Sequence, residues 1–198
     1  LAFESNHETE NWSNRYEAQF LERTNTLRSD TGSLNIDTAR IELSAQFDYK
    51  LVEPNNRLFA YLEYDDNEFN RLREQSTFVL GWSKVAWKSE DSEFRYSIGP
   101  GYSHFVQERT DTRIEEMIVR GTVFYNFIFS EGTRFRQTFS AELGQQITKA
   151  RTQSSITAKI FDKLALKFSV NLVYNDNVSE QDSVLSTQSS VSMVYHFF

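Results

Sequence analysis

The chemistry open to this chain is limited first by the residues it lacks. Among 198 residues there is no Cys, which excludes a disulfide scaffold, a thiolate metal site and a cysteine nucleophile. The three histidines, His7, His104 and His196, stand far apart, and none has the close spacing that brings two imidazoles to one metal. Ser103 and His104 are adjacent, and adjacent residues of an extended strand point to opposite faces, so they cannot share a proton directly. A serine hydrolase would need a neighbouring strand to bring a hydroxyl to the His104 face. The acidic clusters Asp65-Asp66-Asn67-Glu68, Glu90-Asp91 and Glu180-Gln181-Asp182 offer oxygen ligands for Ca²⁺. None has the loop with a central Gly and a terminal Glu, so solvated loop charge accounts for them better. Gly99-Pro100-Gly101 is no phosphate cradle, because no helix follows it; a bulge or kink within a strand is expected there. No catalytic residue, metal or cofactor is expected.

The other charged side chains say more, because they recur at every second position. Between Ala39 and Leu51, one face carries Ala39, Ile41, Leu43, Ala45, Phe47, Tyr49 and Leu51. The other carries Arg40, Glu42, Ser44, Gln46, Asp48 and Lys50. The same alternation sets Phe135, Phe139, Ala141 and Leu143 against Arg134, Arg136, Ser140 and Glu142. It also sets Leu164 to Tyr174 against Lys167, Ser169 and Asn171. Period two marks a strand with two unlike faces. Collected along the chain, the polar face holds Glu4, Arg15, Glu17, Arg40, Glu42, Asp48, Lys50, Glu63, Lys84, Arg95, Arg120, Arg134, Arg136, Glu142, Lys159 and Lys167. Cations outnumber carboxylates in this set although the chain's formal net charge is −7. If this face turns inward, it predicts a basic interior beneath acidic loops.

The elements that must position these residues are strands at roughly 1–8, 11–25, 36–51, 57–66, 74–88, 93–108, 114–130, 133–147, 152–162, 164–176 and 185–198, in one domain. Most are much longer than the five to six residues common in globular sheets, and short turns between them suit an antiparallel up-and-down meander. A mean hydropathy of −0.55 and the lack of a long apolar run exclude a transmembrane helix. The acidic balance argues against nucleic acid. Strand length favours a transmembrane β-barrel, whose strands need about 9–11 residues to cross at a tilt. A β-sandwich and a lipocalin-like soluble barrel with its apolar face inward share the alternation. Tyr49, Tyr64, Tyr174, Tyr195 and Phe197 fall at strand ends on the apolar face, where a membrane-interface girdle would place them. Links alternate between long and short, with Thr26–Ile36 and Asn175–Val184 long, Phe161–Lys163 and Ser130–Thr133 tight, and Lys149–Arg151 modest. Bacterial single-chain barrels carry an even strand count. Eleven strands therefore predict twelve in all, with the first lying upstream of Leu1.

The tail, Val191-x-Met193-x-Tyr195-x-Phe197-Phe198, resembles the C-terminal signal by which the outer-membrane assembly machinery recognises its substrates, although Phe198 is one residue out of phase. More widely, three segments carry a resemblance to the salt-induced outer-membrane protein family, a β-barrel domain of unknown function. They are Leu58-Phe59-Ala60-Tyr61-Leu62-Glu63-Tyr64-Asp65-Asp66, Gly99-Pro100-Gly101-Tyr102 and Val194-Tyr195-His196-Phe197. The resemblance implies a barrel in the outer membrane of a Gram-negative bacterium, in contact with lipid and lipopolysaccharide and inserted by the barrel-assembly machinery. The expected function is non-enzymatic: a narrow, porin-like channel for small polar or anionic solutes, or a platform for a protein partner. The alternatives are a barrel lipid hydrolase, which requires a Ser/His pair on the outer wall, and a soluble ligand-binding barrel.

Overall fold

The computed structural model describes residues 2–29, 32–53, 55–67, 72–107, 112–146, 148–161, 163–176 and 185–195. Its elements are all strands: β1 (Ala2–Glu8), β2 (Trp12–Ser29), β3 (Gly32–Lys50), β4 (Asn56–Asn67), β5 (Leu72–Lys88), β6 (Ser92–Gln107), β7 (Thr112–Ser130), β8 (Thr133–Leu143), β9 (Thr148–Phe161), β10 (Leu164–Asn175) and β11 (Leu185–Tyr195). They form a single sheet in chain order, and each neighbouring pair is antiparallel. The sheet curls into a partly closed barrel. Because eleven is odd, β1 and β11 run in the same direction, and among the described residues each pairs on one side only.

The two faces separate as period two requires, and the polar face is the inner one. On β4 the buried residues are Arg57, Phe59, Tyr61, Glu63 and Asp65, whereas Leu58, Leu62 and Tyr64 between them are exposed. On β5, Gln75, Thr77, Val79 and Ser83 are buried, whereas Phe78 and Leu80 face outward. This contradicts a lipocalin-like barrel, which would hide the leucines and expose the glutamates. The outer wall is apolar across Leu43, Ile98, Met117, Val123, Phe139, Ile156, Phe168 and Val191.

One end of the barrel has tight turns, closed by bonds such as Thr9 N to Trp12 O (2.8 Å), Asn56 N to Glu53 O (3.0 Å) and Ser89 N to Ser92 O (2.8 Å). The outer face near this end carries a belt of rings. Trp12 meets Tyr49 edge-on at 5.1 Å, Trp82 meets Tyr96 at 5.7 Å, and Trp87 stacks on Phe94 at 4.6 Å. Amphipathic rings with paired faces suit a boundary between apolar and wet surroundings.

Three expectations need correction. The link at Thr26–Ile36 is shorter than expected, since β2 and β3 pair as far as Ser29 with Gly32. The link placed at Lys149–Arg151 falls instead between β8 and β9, around Gly144, so both of those cations belong to β9. Lys84 pairs with Tyr96 on the outer face, next to buried Ser83 and Val85. Near the tight-turn rim its long stem can carry the ammonium to water.

Inside, a small apolar wedge of Phe59, Tyr61, Val79 and Ile118 fills part of the lumen. Glycines make room for it. A Cβ on Gly81 would meet Phe59 Cε1 at 2.7 Å, and a Cβ on Gly101 would meet Val79 Cγ2 at 2.7 Å. The β5–β6 ladder is interrupted opposite Gly99-Pro100, yet its register resumes unchanged from Val79–Gly101 to Trp82–Ile98. The feature is therefore a kink, where Pro withholds a ladder donor, and not a bulge with an extra residue.

Candidate functional site

Alternation sends one side chain in two into the lumen, and the curl of the sheet brings those from distant strands together. At mid-height they form a charged network that bridges the walls. Glu63 on β4 lies at its centre. It accepts a hydrogen bond from Tyr61 Oη (2.5 Å) and faces Arg120 of β7 (3.5 Å) and Lys149 and Arg151 of β9 (3.6 and 3.5 Å). Arg120 also pairs with Glu142 of β8, and its guanidinium lies 4.0 Å from the centre of the Tyr61 ring. Arg151 reaches across to Glu42 of β3 and stands 3.7 Å from Asp65. Arg40 holds Glu42 (2.8 Å) and Asp65 (3.0 and 3.1 Å). Lys149 donates to Gln75 Oε1 (2.8 Å). The strands that meet here, β3, β4, β5, β7, β8 and β9, lie on different sides of the lumen, so the network is a constriction. Its four cations and four carboxylates are evenly matched and linked by hydrogen bonds, as burial demands, with Arg151 Nε left without an acceptor.

Toward the tight turns the balance shifts to the cations. Arg15, Arg95 and Arg136 surround the ring of Phe124, at 5.2, 5.2 and 5.9 Å from its centre. Arg136 pairs with Glu4 across the barrel (2.6 Å), and Lys167 lies 3.9 Å from the same carboxylate. Arg95 pairs with Glu93 (2.9 Å) and stands 4.0 Å from Asp48, which also accepts from Gln46 (3.1 Å). Lys50 pairs with Glu8 (2.9 Å). Arg57 is buried on the same inner face. Arg134 and Lys159 continue the inner face at the rim, in ladder positions beside Thr157 and Ala165. Glu17 is opposite Glu4 in the β1–β2 ladder.

The sequence pattern thus places Arg15, Glu17, Arg40, Glu42, Asp48, Glu63, Arg95, Arg120, Arg134, Arg136, Glu142, Lys159 and Lys167 on one inner surface. It misses Lys149, Arg151, Asp65, Gln75 and Tyr61, which complete the constriction. Gly144 was the available signal that the turn precedes Lys149. Asp65 was obscured by the acidic run around it. Among the proposed rim aromatics, Tyr49, Tyr64, Tyr174 and Tyr195 are exposed on the outer wall, whereas Phe197 lies outside the described residues. Trp12, Trp82 and Trp87 were not anticipated.

On the outer wall, Ser76, His104 and Glu115 occupy one cross-strand row. Ser76 and His104 border a groove of about 600 Å³ that also touches Tyr64, Phe78 and Tyr102. His104 Nδ1 lies 3.5 Å from Glu115 Oε1, and Ser76 presents its carbonyl to Ser103 Oγ (3.4 Å). Ser103 itself is fully buried on the inner side. Backbone N–H groups here serve the sheet ladder, whereas acyl transfer needs free donors aimed at an oxyanion. The row sets an imidazole beside a carboxylate on the barrel wall.

Six solved chains match the fold. One is a NanC porin, at TM-score 0.57 and 6% identity, with 98% of this chain and 97% of that one covered. At that identity the likeness is one of fold: an antiparallel up-and-down barrel of porin type. No curated protein matches the sequence. The model for "Protein of unknown function, DUF481" matches residues 1–197, and the chain belongs to that family.

Proposed function

We propose that this chain is a non-enzymatic outer-membrane barrel whose lumen is a narrow passage for small polar or anionic solutes. The observation that carries this is the inside-out distribution of polarity: an apolar outer wall around a lumen lined and bridged by ionised side chains. A soluble protein gains nothing by exposing that wall, whereas a bilayer supplies its solvent. The porin-type fold supports the same assignment. Lipid and lipopolysaccharide would cover the outer wall, and β11, with Val191, Met193 and Tyr195 outward, would be the segment offered to the assembly machinery.

The mid-height network sets the size of the passage. Ion pairs bridging opposite walls leave less room than an open porin has, and a matched set of charges imposes little preference between ions at that level. Purified protein reconstituted in a planar bilayer should give small, discrete current steps. Arg151→Ala, which removes the arm bridging β9 to Glu42 of β3, should raise the unit conductance about twofold or more, since barrier height at a constriction governs flux. No current above background in either protein would overturn the channel and leave the barrel as a platform.

A further inference from the structure

We propose that Arg15, Arg95 and Arg136 form a station in the tight-turn half of the lumen that binds a small organic carboxylate. The proposal rests on the channel reading and narrows it to one class of solute. The three arginines come from three strands, β2, β6 and β8, yet converge on a single ring, Phe124. Like charges gathered in a partly buried space need compensation, and the ring face supplies part of it. Arg136 has Glu4, and Arg95 has Glu93 and the more distant Asp48. Arg15 differs: its Nε donates to a neutral side chain, Asn6 Oδ1, at 3.3 Å. Among the described residues no carboxylate stands within ion-pair distance of it.

A second observation points to the same missing partner. Nε of Arg95 and Nε of Arg136 are buried without an acceptor, as are those of Arg57 and Arg151 elsewhere on the inner face, whereas most buried polar groups in native structures are paired. A carboxylate entering the cluster brings what it lacks: acceptor oxygens for bare N–H groups and negative charge for the third guanidinium. The planar guanidinium fork matches the two oxygens of a carboxylate, a geometry that chloride cannot reproduce. The protein carboxylates that face the cluster from β1, β2, β3 and β6, namely Glu4, Glu17, Asp48 and Glu93, compete with the solute. They keep it loosely held, as passage requires.

Equilibrium dialysis of radiolabelled succinate against the whole chain in detergent micelles, at fixed ionic strength in chloride, reads binding without relying on current. Saturable binding is expected. Arg15→Gln should weaken it about tenfold or more, and Arg15→Lys should weaken it less, since the charge stays and the fork is lost. Lys84→Gln, on the outer wall, should leave it unchanged. If Arg15→Gln does not fold, Arg95→Gln reads the same quantity. Equal binding by wild type and by a folded arginine variant, or displacement by chloride as effective as by succinate, overturns the station. Bound succinate with no bilayer current supports the station and overturns the channel, so the two failures are distinguishable.

Discussion

Many inward side chains of this barrel are tied to residues far away in sequence, and Glu63 shows what that costs to disturb. It is buried among Arg120, Lys149 and Arg151. Removing its charge leaves those cations with fewer partners at a buried position. Glu63→Leu should therefore destabilise the folded protein by about 3–5 kcal/mol, the usual penalty for breaking a buried charged group, measured by urea unfolding in micelles. Glycines give a sharper contrast. A Cβ on Gly99 would lie against the Leu80 carbonyl and 2.7 Å from Gly81 Cα, whereas one on Gly121 meets nothing closer than Ser97 O at 4.0 Å. Gly99→Val should yield no folded barrel. Gly121→Ala should stay within about 1 kcal/mol of wild type, and equal behaviour of the two would refute the close approach of β5 and β6. At this scale the sequence carries the two unlike faces of a strand, misassigns Lys84 and omits Lys149 and Arg151, and says nothing of which side chains touch. Alternation assigns a face, and only the curl of the sheet assigns partners such as Arg151 and Glu42.

Strand character was legible because every element carries its own signal: an apolar residue, a polar residue, and a turn residue where the run stops. Boundaries failed where the signal was weak. The sequence reading carries β8 to position 147, past Gly144 and the two consecutive polar residues Gln145 and Gln146, and so puts Lys149 and Arg151 in a link where β9 has already begun. Lys84 was misplaced for the opposite reason. Val79 breaks the charged-inside rule on β5 because the wedge of Phe59 and Ile118 needs apolar company, and Val85 is buried further along the same face. The elements also differ in how firmly they are held. β5 and β6 pair on both sides, whereas β1 and β11 each have one partner among the described residues. Hydrogen exchange in micelles should release the amides of β11 well before those of β5 and β6. Uniform protection across all strands would show that something else covers that edge.

For the whole molecule, mean hydropathy and net charge both misled by averaging over two faces. The outward surface is apolar enough for lipid, and the lumen gathers cations that a net charge of −7 conceals. All three tryptophans lie on the outer side of the wall, Trp12 and Trp87 half-exposed there and Trp82 against Tyr96. In reconstituted vesicles, brominated lipids should quench most of the protein's fluorescence, while iodide in the aqueous phase should have little effect. Strong quenching by iodide and none by lipid would overturn the membrane orientation.

The parity of the sheet carries a topological consequence. Copies of the chain inserted the same way up all present their free edges with one polarity, so neither β1 against β11 nor either edge against its own twin can meet head to tail. Any strand that closes the seam by antiparallel bonds must run against the direction β1 and β11 share, and only an odd number of strands fits between them. Among the described residues this edge therefore sorts strands by direction: an antiparallel ladder there takes only a strand of opposite sense, and β1 and β11 can meet directly only in a parallel one.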